Sequence, residues 1–363
     1  MPSVDSVKDF GMQRMTFSGL ESRNAKAWFA GLLSALSLLS AANASAQQLN
    51  IVCSMNPEWC RNAALIYERT ANVKVSVINK PTGESFAQIV AEKERPKVDV
   101  WFGGTSDPHF QAAEQGLTVE YRSPLLSQLH PWAQDAAKAA GYKTVGLYSE
   151  VLGIAFNTEL LAKKKLAAPK CWKDLANPIY KGEVQMANAQ SSGTSYVAIA
   201  TFVQIMGEEN AFAFMKAMHK NINTYSRQGL GPIKAVAKGE SAVSVSFLHN
   251  AAQEAEQKFP VAYAAACEGT GYSVGAMSIV KGAPHLEEAK KFYDWALSPA
   301  GQRVAATSRS YQFPSNKATP IPEGAPNLKG AKFINYDLAK FGASAERRRL
   351  IERWEKEVSS QAR

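Results

Sequence analysis

The sequence predicts an α/β protein made of two open α/β sheets joined by crossover strands. Three observations carry this: short β-branched runs alternate with helical segments near the start, the alternation resumes beyond residue 183, and two extended, glycine-interrupted stretches connect the blocks. With 46% hydrophobic and 20% charged residues over 363 positions, the chain can bury a full core and is not a disordered one.

In the first block, Leu49 to Cys53 is a short apolar run, Pro57 opens a helix through Tyr67, and Val73 to Ile78 alternates as a strand. Phe86 to Lys93 reads as a helix and Val98 to Phe102 as a buried strand. In the second block, the strand Glu183 to Ala187 leads through Ser191-Ser192-Gly193-Thr194-Ser195 into a long apolar helix ending at Met206. Strands at Ile222 to Ser226 and Ala242 to Phe247 flank a helix at Ile233 to Lys238. The extended stretches Tyr142 to Asn157 and Gly269 to Ile279 are the expected crossings. Two crossings make the first lobe discontinuous, 47–150 with 275–363 including the C-terminal helices, and leave 151–274 as the second lobe. Leu286 to Leu297 and Glu346 to Val358 complete the helices.

Residues 1–46 read as a secretory signal peptide. Arg14, Arg23 and Lys26 precede an apolar run from Ala27 to Leu39, and Ala44-Ser45-Ala46 offers an A-x-A cleavage site before Gln47. The run is shorter than the ~20 residues a membrane span needs. The expected product is soluble and exported. The whole chain has 41 basic and 32 acidic side chains, a formal charge of +9, and most of that balance lies beyond the leader. It permits an acidic partner without naming one.

Open α/β sheets bind ligands at the carboxyl ends of their strands, where helix N-termini and free N–H groups face a crevice. Those loops hold Ser54 and Asn56 after the first strand, Gly103-Gly104-Thr105-Ser106-Asp107 after the third, and Ser192-Gly193-Thr194-Ser195 in the second lobe. Hydroxyls and glycines at helix starts suit an oxyanion; the plainer role of Ser192 and Thr194 is to cap the helix. Arg227 at a strand end can pair with phosphate or carboxylate, and His249 and Asn250 follow the strongest alternating strand.

Enzymatic signatures are missing: there is no G-x-x-x-x-G-K-[ST], H-E-x-x-H or G-x-S-x-G, so neither a catalytic residue nor a cofactor is expected. The five histidines share no metal-ligand spacing. Arg347-Arg348-Arg349 lies between Glu346 and Glu352, a solvated helix face rather than a nucleic-acid patch. The four cysteines allow three pairings. A Cys53–Cys60 bridge would fix the first ligand loop, and Cys171 and Cys267, both in the second lobe, would make the other pair.

Taken in order, the Cys53-Ser54 strand end, Asp99-Val100-Trp101-Phe102-Gly103-Gly104-Thr105, Ser192-Gly193-Thr194, Phe247-Leu248-His249-Asn250 and Glu268-Gly269-Thr270-Gly271-Tyr272 resemble bacterial periplasmic substrate-binding proteins of ABC transporters. The nearest branch includes ferric-ion-binding and hexose-phosphate-binding proteins. The resemblance implies a two-lobed type II periplasmic binding protein fold, a monomer that closes on its ligand and delivers it to an inner-membrane permease. Ferric-binding relatives carry adjacent tyrosines where this chain has Leu248-His249-Asn250, and a carboxylate near Gly103-Gly104, so iron is the alternative rather than the expectation. The Ser/Gly/Thr loop matches the relatives' anion-binding loop, and His249-Asn250 stands where the sugar-phosphate branch has His-Asp. The expected cargo is a small phosphorylated anion; a sugar phosphate, a phosphonate and an organic carboxylate all suit the loops. Ser192, Gly193, Thr194 and Ser195, with Arg227, would hold the anionic head. Ser54, Asn56, Gly104 and Thr105 would meet it from the first lobe, and His249, Asn250 and Glu268 would orient polar groups. A secreted hydrolase using a serine and His249 is the competing class.

Overall fold

The computed structural model describes residues 48–362; the signal-peptide reading lies outside the described residues. The chain opens with β1 (Gln48–Cys53), α1 (Pro57–Ala71), β2 (Lys74–Asn79), α2 (Thr82–Ala91), β3 (Val100–Thr105), α3 (Ser106–Glu114) and α4 (Pro131–Ala139). The long strand β4 (Val145–Asn157) leads to α5 (Thr158–Lys164), β5 (Val184–Ala187), α6 (Gly193–Met206), α7 (Glu208–His219) and β6 (Ile222–Ser226). Then come α8 (Gly231–Ala237), β7 (Val243–Phe247), α9 (Leu248–Glu256), β8 (Val261–Ala264) and β9 (Tyr272–Ile279). The chain ends with α10 (Leu286–Leu297), α11 (Pro299–Thr307), the short β10 (Phe313–Pro314), α12 (Leu338–Gly342) and α13 (Ser344–Trp354).

The strand order β2-β1-β3-β9-β4-β7-β5-β6 divides at β4. Its first half, Val145 to Val151, runs antiparallel to β9, while Leu152 to Phe156 runs antiparallel to β7. One strand therefore belongs to both sheets. The return crossing follows β8: Leu152 N–H donates to Gly271 O at 3.1 Å before the chain enters β9. In the first sheet β2, β1 and β3 are parallel, and in the second β7, β5 and β6 are. Parallel strands linked by helices bring successive βα turns to one end of each sheet, which sets the position of the site.

Each sheet has its own core. Leu49, Ile51, Phe102 and Phe292 pack in the first; Trp172, Tyr196, Phe202 and Val245 pack in the second. Helix α10 buries Ala289, Phe292, Tyr293, Ala296 and Leu297, the one-sided spacing of a surface helix. Helix α6 is buried continuously from Gly193 to Val203, which explains why its sequence is apolar all round. Among the described helices none is long and apolar enough to cross a membrane.

The C-terminal helices, all placed with the first lobe by the sequence reading, divide between the cores. Helices α10 and α11 pack in the first. From α13, Arg347 still reaches Asp107 of the first lobe at 2.6 Å, whereas Leu350, Ile351 and Trp354, and Val358 beyond them, pack in the second core. Arg349 and Arg353 reinforce this by pairing with Glu208 at the start of α7, at 2.6–2.8 Å. A sequence-adjacent helix has no obligation to stay with the preceding sheet, and the apolar stripe of α13 finds its partner across the molecule.

Candidate functional site

The parallel strands of both sheets point their carboxyl ends at one cleft. Six helices start there, and their N-cap residues Asn56, Pro81, Thr105, Ser192, Leu230 and Phe247 all line it. Only Asn56 makes a side-chain cap bond, to Glu58 N–H at 2.8 Å. The other five side chains make none, so first-turn N–H groups are left without side-chain caps. Such groups, together with the helix dipoles, favour a negative guest. Lys80 is the one cationic side chain on the described wall, and Glu150 the one acid. The cleft holds about 570 Å³ of atom-free space, part of it open to solvent.

The two lobes touch around this space. Gly83 N–H donates to Ser191 O at 3.0 Å, Asn56 Nδ2 donates to Gln253 Oε1 at 3.2 Å, Tyr311 OH meets the Glu256 carboxylate, and Arg227 pairs with Glu84. The lobes also pack tightly at Gly193, where a Cβ would stand 1.9 Å from Thr105 Oγ1. Glycine is what lets the turn of the second lobe reach the turn of the first. Gly104 is required for a different reason: its φ of +96° is left-handed, and a Cβ there would collide with Thr82 and Ser54 of its own lobe. Its N–H donates to Tyr148 OH at 3.0 Å.

Of the residues the sequence singles out, Ser54, Asn56, Gly104, Thr105, Ser192, Thr194, His249 and Asn250 line the cleft. Gly193 sits between two lining residues at the point of contact. Ser54 is partly engaged already, its hydroxyl accepting from Trp101 Nε1 at 3.0 Å and bonding Ser85 Oγ at 2.8 Å. Three others lie elsewhere. Ser195 is buried and donates to Ala187 O at 2.6 Å. Arg227 is 70% exposed and bound to Glu84 at the rim, so its guanidinium already has its carboxylate. Glu268 accepts from Trp172 N–H at 2.8 Å and Lys173 N–H at 3.1 Å, capping a short helical turn. Both expected disulfides are present, Cys53–Cys60 and Cys171–Cys267. The first lies behind Met55 and Asn56. The second, with Glu268, forms the one cluster of metal-ligating side-chain types among the described residues, and its thiols are spent in the disulfide.

Sequence reasoning misses Lys80, Pro81 and Thr82, which follow β2; the rule that found the turns after β1 and β3 reaches this one too. It also misses Tyr148 and Glu150 on the crossing strand, and Gln312 in irregular chain, for which no local motif exists.

Electrostatics divide the wall. Burial holds the His249 imidazole neutral by lowering its pKa to about 3, with the neighbouring Asn250 side chain acting weakly in the other direction. Burial, and secondarily the Asp107 charge, holds the Glu150 carboxyl well above the carboxylate range. Burial raises the Tyr148 phenol as well, with Glu150 adding to it. The cleft therefore combines N–H and hydroxyl donors at the helix starts with buried uncharged groups that both donate and accept.

Residues 96–341 match the bacterial extracellular solute-binding protein family. The chain belongs to that family. Its fold is that of a type II periplasmic binding protein. The periplasmic binding protein AfuA from Actinobacillus pleuropneumoniae, solved with exogenous fructose-6-phosphate bound, is 45% identical with a TM-score of 0.85, over 87% of this chain and 100% of AfuA. The periplasmic binding protein P5PA is 37% identical with a TM-score of 0.83, over 86% of this chain and 100% of its own. An uncharacterized protein of Haemophilus influenzae is 42% identical over 329 residues, 90% of this chain and 95% of its partner in the match. Family and structural neighbours are binding proteins.

Proposed function

We propose that this chain is the periplasmic solute receptor of an ABC importer and that its cargo is a small phosphate monoester of the sugar-phosphate class. The observation that carries the reading is the convergence of helix starts without side-chain caps, from both sheets, on one cleft. The likeness to AfuA with its bound fructose-6-phosphate supports the choice of ligand class. Ser192, Gly193, Thr194 and Thr105 hold the phosphate through N–H and hydroxyl donors, Gly104 leaves room for the ligand beside them with its own N–H bonded to Tyr148 OH, and Lys80 supplies positive charge. His249 and Asn250 orient the rest of the molecule. Ser54 and Asn56 support the first-lobe loop, and Arg227 acts by pairing with Glu84 at the rim rather than on the ligand. The lobes, 47–150 with the returning strand and 151–274, hinge where β4 and the return crossing pass between the sheets. The ligand favours closure because only the closed form contacts it from both sides. The cleft is complete within one chain, so a monomer suffices. Removal of residues 1–46 would release the receptor into the periplasm.

Thermal denaturation of purified protein with fructose 6-phosphate, 2-aminoethylphosphonate, citrate or ferric ion, each at matched ionic strength, tests the assignment. The sugar phosphate should raise the Tm by several degrees and fructose should not. Stoichiometric ferric binding would make the protein a metal carrier, and multiple-turnover release of phosphate would make it a hydrolase.

A further inference from the structure

The cleft wall also holds two buried side chains, one on the crossing strand and one in the first turn of α9, that the phosphate does not need. Glu150 lies on the half of β4 paired with β9, opposite Ser273, and His249 lies in the first turn of α9. Both line the cleft and both are almost fully buried. His249 Nδ1 stands 3.8 Å from Glu150 Oε2 and has no hydrogen-bond partner. That separation is too long for a direct hydrogen bond, and it matches the span across which one oxygen can bond to both groups at about 2.8 Å each. A buried ring nitrogen without a partner is costly unless something supplies one.

Resting on the receptor reading above, we propose that Glu150 and His249 form a hydroxyl-reading pair, so that the cargo is a phosphate monoester of a polyol with one hydroxyl bonded to both side chains. A bare oxyanion would leave the pair unserved. An amine-bearing phosphonate would require an ionised Glu150.

The surroundings favour the neutral pair. Asp107, at the start of α3, adds negative charge near Glu150, although Arg347 Nε engages Asp107 at 2.6 Å. Tyr148 on the same strand is a neutral phenol, and His249 is neutral as well. A protonated carboxyl and a neutral imidazole each offer one donor and one acceptor, the complement of a hydroxyl that does the same. Sites built in this way discriminate strongly against analogues lacking the hydroxyl, because their buried polar groups are then left unpaired.

Isothermal titration of the purified protein and of Glu150→Gln and Glu150→Ala, with fructose 6-phosphate and with inorganic phosphate, tests the inference. Glutamine keeps a neutral donor and acceptor, so fructose 6-phosphate affinity should stay within about threefold, whereas alanine should lower it by about tenfold or more. Inorganic phosphate should bind all three alike. Equal damage by glutamine and alanine would show that an ionised carboxylate is required and overturn the proposal. So would an alanine variant that binds the sugar phosphate normally, or one that loses both ligands together. If the unsubstituted protein binds no phosphate monoester, the receptor reading itself fails and this inference with it; the other outcomes overturn the inference alone.

Discussion

Gly193 is one of the points at which the two lobes meet. A methyl group there would stand 1.9 Å from Thr105 Oγ1, so Gly193→Ala should hold the lobes apart while leaving each core intact. We expect at least about a tenfold loss of sugar-phosphate affinity, near 1.4 kcal/mol, with little change in Tm of the ligand-free protein. Unchanged affinity would show that the two turns need not meet. A second consequence concerns acid. His109 and His249 are both buried, with pKa values lowered to about 3, against an ordinary 6.5. Between these limits the unfolded chain binds more protons, so their contribution is full above pH 6.5 and drains as pH falls toward 3, by up to about 1.4 kcal/mol per pH unit for each histidine. Glu150 acts with the opposite sign, because its raised pKa eases its own penalty as pH falls. Urea midpoints at pH 7.5, 5.5 and 4.5 should therefore decline, and less steeply in His249→Gln; equal slopes would contradict a neutral buried His249. At this scale the sequence was readable where a residue type and a strand end coincide, as in Ser192-Gly193-Thr194. Arg227 was open to misreading because its partner, Glu84, lies 143 positions away and no local signal announces it.

At the scale of elements, alternation was legible wherever one face or both were buried. Helix α6 ends at Met206 and strand β6 spans Ile222–Ser226, the limits its pattern predicts. The start of α2 was read late, at Phe86 instead of Thr82, because its first turn is Thr-Gly-Glu-Ser and carries no apolar spacing. The two disulfides stabilise on different terms. Cys171–Cys267 closes a loop of 96 residues and Cys53–Cys60 one of only 7. In the chain-entropy account, replacing the long-loop pair with serines should cost about 4–5 kcal/mol, and replacing the short-loop pair about 2–3 kcal/mol. Guanidinium unfolding of the two double variants measures this. The reverse order would show that the short bridge matters chiefly by shaping the loop that carries Asn56.

For the whole molecule, the architecture could be inferred from two crossings, whereas the lodging of α13 on the second core could not. That placement depends on Trp354 and Leu350 meeting a surface assembled from residues more than 100 positions earlier. The same non-local assembly supplies Tyr148, Glu150 and Gln312 to the cleft. The resulting charge pattern is local rather than global. A chain of formal charge +9 presents a single lysine at its cleft wall, so capture rests on oriented backbone donors more than on net charge. Binding should accordingly persist at moderate salt, since donors enclosed between the lobes are screened less than surface charges. The most direct measurement is isothermal titration of the purified protein with fructose 6-phosphate and, separately, fructose at fixed ionic strength. The account predicts one-to-one binding of the phosphorylated sugar and none of the free sugar; equal affinity for both, or binding of neither, would contradict it.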